Sequence, residues 1–293
     1  MTQREKHQAA LDSFTETVRG DPKVIALLLW GSLAYGTVWE KSDIDLTMIV
    51  RDGSSPAPYL MVDADGLDLV LTLREISRFK TEMQRWVGGD FEHSALAKGR
   101  IIFSKDASLV DFFEDTRRVG SNDAIISFIN AAGMLQHQMH RCEKWLRVYE
   151  DNLYAQRFLQ FCCSELAHMI LLRNQELPTR ESILRACELE PELMHRLYVL
   201  PSTTCMTKAE LMAALRLIDD YLLQHLAWWS QPILQFLSDG EVKTFSHIIN
   251  YLRIDGSMLN WLAEREIINR VAEQSSLFKK SRTTVEEIAY YMD

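Results

Sequence analysis

The stretch Val24–Val50, VIALLLWGSLAYGTVWEKSDIDLTMIV, constrains this chain more than any other. It opens with an unbroken apolar run, Val24–Trp30, which reads as a strand buried on both faces. Gly31-Ser32 follows directly, and ten residues separate Ser32 from Asp43. Then comes Asp43-Ile44-Asp45-Leu46-Thr47-Met48-Ile49-Val50, whose period-2 alternation predicts a second strand. On a strand, Asp43 and Asp45 project to one face while Ile44, Leu46 and Met48 project to the other. Two neighbouring carboxylates repel each other, so a fold keeps such a pair with a compensating cation. Hard oxygen ligands at this spacing suit magnesium. Gly31 lets backbone approach a ligand closely, and Ser32 offers a hydroxyl and an amide to a phosphate.

An apolar strand, Gly-Ser, a spacer of this length and Asp-x-Asp on a second strand together resemble the nucleotidyltransferase superfamily, whose fold is shared with DNA polymerase beta. The residues that carry the resemblance are Leu29-Trp30-Gly31-Ser32 and Ser42-Asp43-Ile44-Asp45-Leu46, and the match covers the first third of the chain. It implies an α+β fold with a mixed sheet. It also implies a nucleotide site with Gly31, Ser32 and Ser42 on the triphosphate side, and a third carboxylate on the strand beside Asp-x-Asp. Leu67–Leu73 is the next long strand, with Asp68, Val70 and Thr72 on one face, so Asp68 takes that role. The other reading of Asp68 is an edge aspartate beside a turn. Asp63 and Asp65 fall in the hairpin signal Asp63-Ala64-Asp65-Gly66 and read as structural.

The net charge is −9 over 293 residues, which argues against a general nucleic-acid binder. With 47% hydrophobic and 25% charged residues, the chain has the profile of a soluble globular protein. Cys142, Cys162, Cys163, Cys187 and Cys205 are odd in number and lack CxxC spacing, so reduced thiols in a cytoplasmic protein are expected. The start, MTQREKHQAALDS, is polar and does not read as a signal peptide, and no apolar run approaches membrane-spanning length.

Three modules are expected, at 1–118, 119–240 and 241–293. The first starts with a helix over residues 3–19 that places Ala9, Leu11, Phe14 and Val18 on one side. Beyond the long strands come a helix over 75–86, a glycine break at Gly88-Gly89 with Glu92 and His93 beside it, an edge strand Arg100–Ser104 and a closing helix from Ala107. From Asp123 apolar residues recur at steps of three and four, predicting an antiparallel helical bundle whose last long helix spans about 207–237. The final module, with helices over Ser246–Arg253 and Ser257–Arg265 and a hairpin over Ile267–Phe278 and Thr283–Tyr291, resembles a winged helix. Its helix SMLNWLAER carries one basic residue, and Lys279, Lys280 and Arg282 form its compact basic cluster. Packing or homodimer formation is therefore favoured over DNA binding.

What the resemblance implies is transfer of a nucleoside monophosphate from ATP to a hydroxyl of a small molecule. Asp43, Asp45 and Asp68 would hold magnesium, and Gly31 and Ser32 the β- and γ-phosphates. Kanamycin and lincosamide nucleotidyltransferases, which the front of the chain resembles, carry a helical second domain and bind substrate between the domains. In the kanamycin enzyme a glutamate of that domain acts as general base; here Asp68, Glu143 and Glu165 are the candidates. Two other classes stay open: an RNA- or protein-directed nucleotidyltransferase of the toxin–antitoxin type, and a non-catalytic regulator acting through the winged-helix-like tail.

Overall fold

The computed structural model describes residues 1–54, 57–85, 94–95, 97–117, 119–278 and 281–293. They divide into two compact units, Met1–Val119 and Gly120–Asp293. Helix α1 (Gln3–Arg19) starts at a capping box: Thr2 Oγ1 accepts from the Glu5 amide, and the Glu5 carboxylate accepts from the Thr2 amide. Its inner face carries His7, Ala10, Leu11 and Thr15, with Phe14 and Val18 alongside. Ala9 is exposed, because the buried face runs through positions 7, 10, 11 and 14 rather than through 9.

Strand β1 (Val24–Trp30) leads into the single helical turn α2 (Gly31–Tyr35), and β2 (Ile44–Val50) follows. Next come β3 (Tyr59–Ala64), β4 (Leu67–Glu75), α3 (Ile76–Arg85), β5 (Arg100–Ser104) and α4 (Ala107–Thr116). The β3–β4 turn has positive φ at both Asp65 (54°) and Gly66 (79°), the geometry of a tight hairpin. Asp63 Oδ1 closes it by accepting the Gly66 amide at 2.8 Å, which gives Asp63 a structural task. Gly88, Gly89, Glu92 and His93 lie outside the described residues.

The strands form a mixed sheet in the order β3-β4-β2-β1-β5, with β2 and β4 parallel and the other neighbours antiparallel. Alternation sorts β1 between two cores. Leu27 and Leu29 join Ile44, Leu46, Leu69 and Leu71 beneath Leu11 of α1. Ala26 and Leu28 face Phe79 and Met83 of α3 and Leu109 and Phe113 of α4. Both faces are covered, which is why this strand is apolar throughout. Each fully buried leucine contributes roughly 1.5–3 kcal/mol.

In the second unit α5 (Ser121–Lys144) widens into a π-helical turn, Trp145–Tyr149. The chain reverses at Glu150 (φ 54°) into α6 (Asn152–Arg173), whose N-cap Asp151 accepts the Tyr154 amide at 2.9 Å. Helices α7 (Ser182–Leu189), α8 (Lys208–Gln224) and α9 (Gln231–Leu237) follow, joined by shorter helical turns. The single helix expected over 207–237 is thus broken. Pro232 sits in the first turn of α9 and has no amide to continue a helix from α8, while Trp229 Nε1 folds back to donate to Leu222 O at 2.9 Å. All five cysteines are free thiols. Burial pushes the Cys142 and Cys163 thiols up to about 12, so they stay protonated and behave as small apolar groups. Among the described residues no helix is long and apolar enough to cross a membrane.

The chain ends in β6 (Lys243–Thr244), α10 (Phe245–Leu252), α11 (Ser257–Ala263), β7 (Asn269–Ser276) and β8 (Thr284–Tyr291), with strand order β6-β8-β7. Helix α11 buries Met258, Leu259, Trp261 and Leu262, so its apolar surface is spent on packing. Behind it, Arg265 Nη2 donates to both carboxylate oxygens of Asp219 in α8 (2.6 and 2.5 Å), and Trp261 Nε1 donates to the same carboxylate at 2.8 Å. The α10–α11 turn also docks on α5. A Cβ at Gly133 would lie 2.6 Å from Asp255 Cβ, and Asn130 Oδ1 accepts the Asp255 amide at 2.6 Å. Tyr290 is fully buried, whereas Ile288 is 37% exposed. Arg282 is described; Lys279 and Lys280 lie outside the described residues. Asp219→Ala leaves a part-buried guanidinium and an indole N–H without their acceptor. It should therefore cost about 1–3 kcal/mol in denaturant unfolding, more than Asp220→Ala one residue away.

Candidate active site

The pairing of β2 with β4 builds the site. Their parallel register sets Ile44 beside Leu69 and Asp45 beside Val70. One residue upstream on each strand, Asp43 therefore lies next to Asp68. The antiparallel β3–β4 register sets Asp63 opposite Asp68, and the β1–β2 register sets Trp30 opposite Asp45. Ile44, Leu46 and Leu69 belong to the core under α1, so alternation turns Asp43, Asp45 and Asp68 to the opposite face of the sheet. Asp43 and Asp45 are half-buried and Asp68 is exposed.

Across from these carboxylates the chain leaves β1 through Gly31. This glycine has φ +73°, a conformation that L side chains rarely adopt. A Cβ at Gly31 would fall within the Asp45 carboxylate, 2.9 Å from Cγ and 3.2 Å from Cβ, so any larger residue would have to displace Asp45. Gly36, with φ +79°, ends the turn, and the Thr37 amide donates to Ser32 O at 3.0 Å. Ser32 Oγ is buried and has no hydrogen-bond partner among the described residues. A buried hydroxyl left in that condition costs about 1–3 kcal/mol.

Ser42 has its polar groups engaged. Its Oγ accepts the Trp39 amide at 3.1 Å, its amide donates to Trp39 O at 3.1 Å, and its carbonyl lies 2.9 Å from His7 Nε2. In this state Ser42 shapes the turn before Asp43. Glu143 and Glu165 belong to the second unit. Glu143 is ion-paired with Arg147 at 2.7 Å. Glu165 lies 3.9 Å from His168; burial raises the carboxyl's pKa and lowers that of the imidazole, so both are driven toward their neutral forms. His7 carries a further interaction that helical periodicity does not announce, because a lone histidine on an inner helix face reads as core.

Among the described residues no group of three His, Cys, Asp or Glu side chains could hold a metal ion. The aspartates are set out along two neighbouring strands rather than gathered around one point. That arrangement still fits magnesium, which takes one or two carboxylates and completes its octahedron with water and substrate phosphate.

Residues 13–108 match the family model described as polymerase beta, nucleotidyltransferase. The likeness to that family is carried by this stretch of the chain. The matched stretch spans both strands of the Gly-Ser and Asp-x-Asp motif and continues through β5. No curated protein matches the chain. A nucleotidyltransferase-like protein from Exiguobacterium sibiricum has a similar solved structure, with a TM-score of 0.64 over 97% of this chain and 98% of that one. At 15% identity the likeness is one of fold, and it extends through the helical and C-terminal segments beyond residues 13–108.

Because Gly31 has both a positive φ and a carboxylate where its Cβ would go, Gly31→Ala is doubly penalised. It should lower the melting temperature by the equivalent of about 1–2 kcal/mol from the backbone alone. It should also displace Asp45, read as faster amide hydrogen exchange over residues 43–46. Gly36→Ala has a similar φ but open space around it, and should show only the stability loss.

Proposed function

We propose that the chain is a magnesium-dependent nucleotidyltransferase that moves a nucleoside monophosphate, AMP from ATP, to a hydroxyl of a small molecule. The observation that carries the reading is the contact of Asp45 with Gly31. It brings the Asp-x-Asp strand within touching distance of the turn holding an unpartnered buried hydroxyl. Asp43 and Asp45 would hold magnesium beside the triphosphate, with Asp68 on the neighbouring strand as a further carboxylate ligand. When bound, magnesium supplies charge neutralisation to the triphosphate and to the attacking hydroxyl.

The chain's own residues do the rest by positioning. Gly31 presents bare backbone to the triphosphate. Ser32 Oγ donates to a phosphate oxygen, the partner it lacks among the described residues. The acceptor oxygen bonds to the α-phosphorus as the bond to pyrophosphate breaks, and the acceptor's proton goes to a carboxylate, for which Asp68 is the candidate on this unit. Holding reactants in line is the main contribution such a site makes. Aminoglycosides and lincosamides are the acceptors to test first, on the resemblance of the motif to the enzymes that modify them.

With α-labelled ATP and a panel of such acceptors, Asp43→Asn and Asp45→Asn should each abolish label transfer and pyrophosphate release. Neither should lower the melting temperature, since each relieves repulsion between carboxylates. Turnover unchanged in either variant would remove the assignment. Ser32→Ala should weaken ATP binding by roughly ten- to a hundredfold, the worth of a hydrogen bond to a charged phosphate, and leave AMP binding little changed. An equal loss for both nucleotides places Ser32 away from the triphosphate.

A further inference from the structure

His7 is wholly buried on the inner face of α1, yet both of its ring nitrogens face carbonyl oxygens. Nδ1 lies 2.8 Å from Gln3 O, one turn back in the same helix. Nε2 lies 2.9 Å from Ser42 O, 35 residues along the chain. An apolar side chain would fill this helix position at no polar cost, so the imidazole is informative only through what it binds. The Ser42 carbonyl belongs to the peptide that leads directly into Asp43. That unit is rigid and planar, so fixing its oxygen fixes the Cα of Asp43. The ladder of β2 begins only at Ile44, and Asp43 stands just outside it. The turn Trp39–Ser42 closes on itself through the Ser42 hydroxyl and amide, which sets its shape but does not attach it to the body of the domain.

We propose that His7 is a positioning residue for Asp43: by tethering the Ser42 carbonyl to α1 it holds the first aspartate of the pair at the edge of the sheet, ready for a metal-bound nucleotide. The inference rests on the reading of Asp43 as a metal ligand. His7 touches neither nucleotide nor metal, and its effect passes through the Ser42–Asp43 peptide.

A neutral imidazole donates from one nitrogen, and the tether uses the tautomer with its proton on Nε2; two amide substitutions in the full chain separate the two contacts. In His7→Asn the side-chain amide reaches about as far as Nδ1 and can serve Gln3 O alone. In His7→Gln it reaches about as far as Nε2 and can serve Ser42 O. The first readout needs no ligand: amide hydrogen exchange over residues 37–45. The second is calorimetric binding of ATP with manganese. His7→Asn should exchange faster around Asp43 and bind roughly tenfold more weakly, while His7→Gln stays near the wild type in both. Equal behaviour of the two variants, whether both intact or both impaired, overturns the proposal, because a purely structural histidine would not tell them apart. A wild-type chain that fails to bind manganese–ATP overturns the metal-site reading instead, and the exchange contrast still decides whether His7 holds the turn.

Discussion

Repulsion between carboxylates is the constraint on which the first unit depends. Asp43 and Asp45 share a strand face, and the parallel register brings Asp68 in beside them. The sheet carries this charge on one face because the other face is closed by α1 and a core of leucines and isoleucines. Sliding β4 by one residue would turn Asp68 into that core and Leu69 out of it, so the apolar pattern itself enforces the register. The carboxylates therefore stay together through packing that they do not contribute to.

The elements around the site each meet a part of that demand. Gly31 gives Asp45 its place, since any side chain there would occupy the same volume. Ser32 keeps a buried hydroxyl unsatisfied among the described residues, a cost of the kind that folds retain where a ligand completes the set. His7 reaches across from α1 to the peptide before Asp43. In the second unit Asp219, Arg265 and Trp261 lock the C-terminal helix pair to the bundle. That lock places four side chains of α11 in the interior, which leaves the helix little free surface with which to enter a DNA groove.

Much of this was legible in the sequence because it follows from periodicity. The limits of β1 coincide with the apolar run, and the sorting of Asp43 and Asp45 from Ile44 and Leu46 follows from alternation. Register is different, since the adjacency of Asp43 and Asp68 depends on which strands pair and in which direction. The role of His7 was not legible for the same reason: its partner is 35 residues away, and polarity within a helical stripe carries no address. Periodicity also overran the break between α8 and α9, because apolar steps of three and four continue through Pro232 although the hydrogen bonds cannot. Ala9 was misplaced because its size says little about burial, whereas Leu11 and Phe14 set the face.

The central claim is that the Asp-x-Asp strand and the Gly31-Ser32 turn together hold a metal-bound triphosphate. Its most direct test is a crystal soaked with manganese and a non-hydrolysable ATP analogue, measured at the manganese absorption edge. The account predicts an anomalous peak bonded to carboxylate oxygens of Asp43 and Asp45, with the β- and γ-phosphates against Gly31 and the Ser32 hydroxyl. A nucleotide bound elsewhere, or a triphosphate at this turn with no metal between it and the aspartates, would contradict it.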